Sequence, residues 1–152
     1  MRRTPLLGVI GASLCLLMAA ANQATDAALP TPLRAHLQAE RFGIVTSIRG
    51  LPLGVRDGLQ TLFGSPTLDI VDPGADYQTR RLVAAGCSGD HHCLVYYQRR
   101  GNAPAWHVAL FLWTPSATRF EWGGTAPAGL ATIEDVRKAI LSGAIKGPAT
   151  TW

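Results

Sequence analysis

One short segment concentrates the residue types that can bind a metal or form a disulfide. It holds two thiols, Cys87 and Cys93, with Asp90, His91 and His92 between them. Thiolates and imidazoles bind zinc and copper, so a metal site at the aspartate and the two histidines is one interpretation. The spacing matches none of the paired-cysteine zinc patterns, because five residues separate the thiols and no second pair follows. A disulfide that closes a hairpin is therefore favoured.

Two adjacent pairs of arginines, Arg80 with Arg81 and Arg99 with Arg100, lie on strands that we expect to be neighbours. Like charges that face each other across two strands repel, whereas guanidinium groups bind carboxylates and phosphates through paired hydrogen bonds. Aromatic residues and arginine are enriched where binding energy concentrates. We therefore predict a surface for an anionic ligand or a partner protein, made of Arg81, Arg99, Arg100, Tyr97 and Trp106. In the alternative interpretation the arginines are ordinary solvated charges.

Residue patterns typical of catalysis are absent from the sequence. None of the serines lies in a Gly-x-Ser-x-Gly turn, which many serine hydrolases use. In the alternating pattern of a predicted strand, His107 lies on the apolar side. A histidine at such a position is more often hydrogen-bonded within the core, here for example to Tyr96, than used as a general base. Nothing in the sequence places Glu121 and Asp135 together as a pair of carboxylates. We predict no catalytic residue and no cofactor.

The first residues of the chain have the pattern of an export signal. Arg2 and Arg3 precede an apolar run over residues 6–21, and Ala19 and Ala21 occupy the small-residue positions of a cleavage site. This pattern predicts a signal peptide over 1–21, a flexible segment over 22–30 and a single domain over 31–152. The apolar run is short for a membrane anchor and is interrupted by glycines. We expect a periplasmic or secreted protein with no stable membrane insertion after cleavage.

Charge and cysteine content narrow the class of protein further. The net charge is +4, and two of those positive charges, Arg2 and Arg3, leave with the signal. An excess of about two charges is too weak to indicate nucleic-acid binding, so we predict none. Cys15 lies within the signal, which leaves an even number of cysteines in an exported domain and favours a disulfide.

The predicted domain that positions the candidate residues begins and ends with helices. Thr31 as a cap and Pro32 predict a helix that ends near residues 42–43. Pro52 opens a second helix with apolar residues at helical spacing until Gly64. A Thr-x-x-Asp start at Thr132 predicts a third helix that ends at Gly143.

Alternating β-formers between these helices predict four strands. Their expected ranges are 81–86, 94–99, 106–113 and 118–122. Short turn-rich loops join them into an antiparallel meander. The predicted fold class is therefore α+β: N-terminal helices, a four-stranded antiparallel meander and a C-terminal helix packed on one sheet face.

The disulfide also predicts a register. With Cys87 opposite Cys93, Arg81 faces Arg99, and the next turn places Tyr97 opposite Trp106. One sheet face then forms the core under the helices. The other face is also rich in apolar residues, which predicts a cover by the chain itself or, alternatively, a homodimer through that face.

These observations together predict a small exported, non-catalytic binding or interaction protein. Its ligand is expected to be an envelope protein or an anionic molecule. The first alternative is a periplasmic metal-handling protein that uses the 87–93 segment. The second is a small hydrolase whose residues meet only in three dimensions.

Overall fold

The computed structural model describes residues 28–89, 91–149 and 152. The predicted signal peptide, most of the 22–30 segment and Asp90 lie outside the described residues. Along the chain the elements are α1 (Thr31–Ala39), β1 (Gly43–Val45), a 3-10 turn (Ile48–Gly50), α2 (Leu53–Phe63), β2 (Arg80–Ser88), β3 (His92–Arg99), β4 (Ala105–Thr114), β5 (Ala117–Ala126) and α3 (Ile133–Leu141).

The five strands form one antiparallel sheet in chain order. The α+β class and the four-stranded meander β2–β5 are confirmed. The added strand, β1, pairs with the outer side of β2 at Cys87, Gly86 and Ala85. It has only three residues, which is too short for an alternating pattern to mark it in the sequence.

The helix ends follow the sequence signals at α2 and α3. Pro52 precedes α2, and Gly64 ends it with a φ of 61°, a left-handed conformation that glycine adopts without strain. At α3 the Thr132 Oγ1 accepts from the Asp135 N–H at 3.1 Å, and the Asp135 carboxylate accepts from the Thr132 N–H at 3.1 Å. The predicted capping box is therefore confirmed.

The start and end of α1 differ from the prediction. Pro30 occupies the cap position and makes no side-chain capping hydrogen bond, so Thr31 is the first helical residue and not the cap. The helix ends at Ala39, before the expected 42–43, because the chain must extend over 43–45 to pair with β2.

Helices cover both faces of the sheet. On one face, α1 and α3 pack on alternate residues of the central strands, and this layer contains Leu33, Leu37, Leu94, Tyr96, Val108, Leu110, Trp122, Val136 and Ile140. On the other face, α2 packs on the intervening residues, and that layer contains Val55, Leu59, Leu82, Val95, Tyr97, Ala109 and Phe111. The second apolar face is thus covered by the chain's own helix, which removes the reason for expecting a dimer there.

The predicted register holds near the disulfide and changes away from it. The Cys87 and Cys93 sulfur atoms are 2.04 Å apart and form the predicted disulfide. Beyond it, an extra residue at Val83 shifts the pairing of β2 with β3. Arg80 therefore faces Arg99, whereas Arg81 faces Gln98, which corrects the predicted pairing.

The register of β3 with β4 also differs from the prediction by one residue. Tyr97 faces His107, and Trp106 faces Gln98. A one-residue shift moves every side chain of a strand to the opposite face. Tyr97 and Trp106 therefore lie on opposite faces of the sheet and not beside each other.

The C-terminal segment returns to β5. Thr125 and Lys146 exchange backbone hydrogen bonds of 2.8 and 3.2 Å. The Trp152 ring lies against Gly123, where a Cβ atom would be 2.7 Å from that ring. Glycine at this position allows the close approach. None of the helices in the described ranges combines the length and apolarity that crossing a bilayer requires.

We expect Thr132→Ala to lower the free energy of unfolding by about 1 kcal/mol, because the Thr132 hydroxyl no longer accepts from the Asp135 N–H or donates to the Asp135 carboxylate. Urea denaturation followed by circular dichroism measures the change. Thr67→Ala, at an exposed position outside the helices, is the matched control and should change the free energy little. Equal effects of the two substitutions would contradict the role of the capping box.

Candidate functional site

Four arginines lie at one end of β2 and β3, which we call the arginine end: Arg80, Arg81, Arg99 and Arg100. The positive charge of Arg80 is balanced by contacts inside the protein. Its guanidinium bonds Asp69 at 3.1 Å and the Trp152 main-chain oxygen at 2.6 Å, and it lies 4.1 Å from the centre of the Phe63 ring. Its side chain is only 11% exposed. Arg80 therefore holds neighbouring segments together.

Arg81 and Arg100 both lie near the ring of Tyr77, in the loop before β2. Arg81 donates to the Gln98 side chain at 2.9 Å, and its guanidinium is 4.8 Å from the centre of the Tyr77 ring. Arg100 donates to the Tyr77 carbonyl at 2.8 Å and lies 5.6 Å from the same ring centre. The aromatic ring and neutral acceptors orient both cations but do not neutralise them.

Three of the four arginines lack an acidic partner in the part of the chain that the structure describes. Arg81, Arg99 and Arg100 form no ion pair there, whereas Arg80 is paired. Guanidinium groups at one end of a sheet that have no carboxylate partner leave a positive potential that favours an anion.

Tyr97 and His107 lie buried beside these cations. Their rings stack with centroids 5.5 Å apart, and they are 0% and 2% exposed. Burial raises the pKa of Tyr97 well above its usual range, and the positive charges of Arg80 and Arg99 oppose this rise. Burial, aided by the charges of Arg99 and Arg80, lowers the pKa of His107 to about 4. Both side chains are therefore neutral at physiological pH.

Several buried polar atoms at the arginine end have no hydrogen-bond partner among the described residues. They are the Nε atoms of Arg80 and Arg99, the Tyr97 hydroxyl and both ring nitrogens of His107. Buried polar atoms are normally paired with protein or water, since leaving one unpaired costs about 1–3 kcal/mol. The expected core hydrogen bond of His107 is not formed, and the Tyr96 hydroxyl donates to the Pro127 carbonyl instead, at 2.8 Å.

The structure brings together most of the predicted binding residues but not all of them. Arg81, Arg99, Arg100 and Tyr97 lie at the arginine end, whereas Trp106 packs on the opposite core layer. The sequence interpretation missed Tyr77 and Trp152. Tyr77 lies in a polar loop and Trp152 at the far end of the sequence, so neither carried a local pattern that pointed to this end of the sheet.

The hairpin between β2 and β3 lies at the other end of the sheet. His91 is exposed at its tip, whereas His92 is 4% exposed and turns towards Glu40 and Ser88. The two histidines therefore differ in exposure, although both line one cleft beside α1, and the disulfide occupies both thiols. Asp90, the third predicted ligand, lies outside the described residues.

A cleft of about 730 Å³ lies between α2 and the β4–β5 turn. Its lining includes Asp57, Thr61 and Trp113, and Asp57 is the only titratable side chain among the lining residues. General acid–base chemistry needs a proton donor and a proton acceptor in reach of the same substrate. This cleft does not assemble such a pair.

The His107 pKa predicts a specific loss of stability in acid. The unfolded chain binds a proton at this histidine below about pH 6.5, whereas the folded protein binds it only below about pH 4. The free energy of unfolding should therefore fall as the pH decreases from about 6.5 to about 4, by at most about 1.4 kcal/mol per pH unit from this group. His107→Gln should remove that part of the slope in urea titrations. A His107 NMR signal that titrates near pH 6.5 would contradict the prediction.

Comparison with known proteins adds no functional assignment. No protein-family model, no curated protein and no solved structure matches the chain. The roles of the residues at both ends of the sheet are therefore argued from their geometry and chemistry alone.

Proposed function

We propose that the protein is an exported, non-catalytic binding protein whose arginine end recognises an anionic group on another envelope component. One observation carries the proposal: Arg81, Arg99 and Arg100 lie at one end of β2 and β3 without an acidic partner among the described residues, and Arg81 and Arg100 both lie against the Tyr77 ring. An incoming carboxylate or phosphate would supply the missing negative charge.

The buried groups behind these arginines support the same function. The unpartnered Nε of Arg99 and the single N–H of the neutral His107 ring are buried hydrogen-bond donors next to positive charge. Arg81 and Arg100 are held in place by Gln98 and Tyr77, so less side-chain freedom is lost on binding. The site is therefore partly organised before the ligand arrives.

Binding is favoured over catalysis because neither His107 nor Asp69, two titratable residues that the structure describes at the arginine end, is free to carry a proton. His107 is buried and neutral, and its ring contacts Tyr97 and Trp152. Asp69 is engaged by Arg80 and Thr79. The export signal and the disulfide support a periplasmic or secreted location for the binding event.

We expect Arg81→Gln combined with Arg100→Gln to weaken anion binding at least about tenfold, because a hydrogen bond to a charged group contributes ~1.5–3 kcal/mol. The probes are inorganic phosphate, acetate and an oligoglutamate peptide, titrated into ¹⁵N-labelled protein. Chemical shifts of the arginine side chains and of β2 and β3 amides report binding. Preference for the peptide over both small ions would identify an acidic protein as the partner class.

The matched control is Arg119→Gln, which removes a charge at the opposite end of the sheet, where Arg119 already pairs with Glu121. It should leave binding at the arginine end unchanged. Equal weakening by the control would indicate a non-specific charge effect. Shifts confined to residues outside the arginine end would contradict the proposal.

A further inference from the structure

Three metal-ligating side chains from distant parts of the chain meet beside the disulfide hairpin. They are His36 and Glu40, one helical turn apart at the end of α1, and His92 at the start of β3. One ligand atom from each lies within 4.8 Å of the ligand atoms of the other two. Glu40 Oε1 is 3.1 Å from His92 Nδ1 and 3.5 Å from His36 Nδ1. The imidazole centroids are 5.3 Å apart.

A second layer of contacts fixes two of these three side chains. The Ser88 hydroxyl donates to Glu40 Oε2 and accepts from the His92 backbone N–H at 3.1 Å. Ser88 and His92 are cross-strand partners next to the disulfide pair Cys87 and Cys93. Outer contacts of this kind orient the ligands of metal sites and raise their affinity.

The cluster is reachable from solvent. A cleft of about 550 Å³ is lined by His36 and His92, with His91 and Glu121 also on its walls. His36 is 59% exposed, whereas His92 is 4% and Glu40 15% exposed. An ion can therefore enter from the His36 side and meet two ligands that are already held in place.

The donor set selects the class of ion. Two imidazole nitrogens and one carboxylate oxygen form the ligand set of many zinc sites that keep a position open for water. Imidazole favours zinc and copper(II) over magnesium and calcium, which prefer oxygen ligands. No thiolate is available, because both described cysteines form the disulfide.

We propose that His36, Glu40 and His92 bind one Zn²⁺ ion, with water completing the coordination. This site differs from the one predicted from the sequence, since only His92 is shared and its partners come from α1. It is also independent of the arginine end, because β3 separates His92 from Arg99 by seven residues, about 24 Å along the strand. An experiment that rules out one of the two sites therefore does not rule out the other.

Isothermal titration of the chelator-treated, oxidised protein with ZnCl₂ tests the proposal. One equivalent should bind to the wild type. Affinity should fall by at least about tenfold in His36→Gln and in Glu40→Gln, since losing even an outer partner of a metal ligand commonly costs 10–100-fold. Zn²⁺ should also raise the unfolding midpoint of the wild type but not that of His36→Gln.

The control is His91→Gln, which changes an exposed neighbour on the same cleft and should leave Zn²⁺ affinity unchanged. His36→Gln alters an exposed side chain, so circular dichroism should show that this variant remains folded. Unchanged affinity in folded His36→Gln would overturn the proposal. Loss of binding in His91→Gln alone would assign the ion to the hairpin tip and would also overturn it. Absence of stoichiometric binding to the wild type would do the same.

Discussion

Strand β3 is buried on both of its faces, and the chemistry of the molecule depends on that constraint. Residues 92–97 are all buried, because α1 and α3 cover one side of the sheet and α2 covers the other. A polar side chain on this strand must therefore find its partners inside the protein. His92 contacts Glu40 and Ser88 at one end, and Tyr97 lies beside His107 and the arginines at the other. The two candidate sites thus lie at opposite ends of one buried strand.

Local signals in the sequence predicted the elements well, but the register only in part. The caps at Gly64 and Thr132 act within a few residues, so the sequence contains all of the necessary information. The pairing next to Cys87 was predictable because a covalent bond fixes it. Beyond Val83 the added residue changes which arginine faces Arg99, and bulges of this kind leave no signature in an alternating pattern. A cover on the second sheet face was predicted, but not which element supplies it, since the helical period of α2 does not reveal which sheet face that helix covers.

The candidate sites also show that local sequence patterns do not predict contacts between distant parts of the chain. The arginine end was predictable as a region because its four arginines occupy neighbouring strands, whereas Trp106 was misplaced by a one-residue shift. Glu40 is 52 residues from His92 in sequence, and no local pattern relates them. A signal for half of the cluster did exist: a histidine and a glutamate four residues apart at the end of a predicted helix place two ligands on one side. Only the tertiary packing of α1 on the sheet brings the third ligand to them.

The two outer strands of the sheet have a consequence for how the protein behaves at high concentration. An outer strand with a long, flat row of unpaired N–H and C=O groups acts as a template for aggregation. Here β1 presents only three residues, so it offers little length for another chain to pair with. On β5, Lys146 takes the hydrogen bonds of Thr125, and the paired charges of Arg119 and Glu121 occupy the opposite end of the strand. A sheet protected in this way can keep exposed apolar residues such as Ile44 without inviting strand-to-strand association between copies.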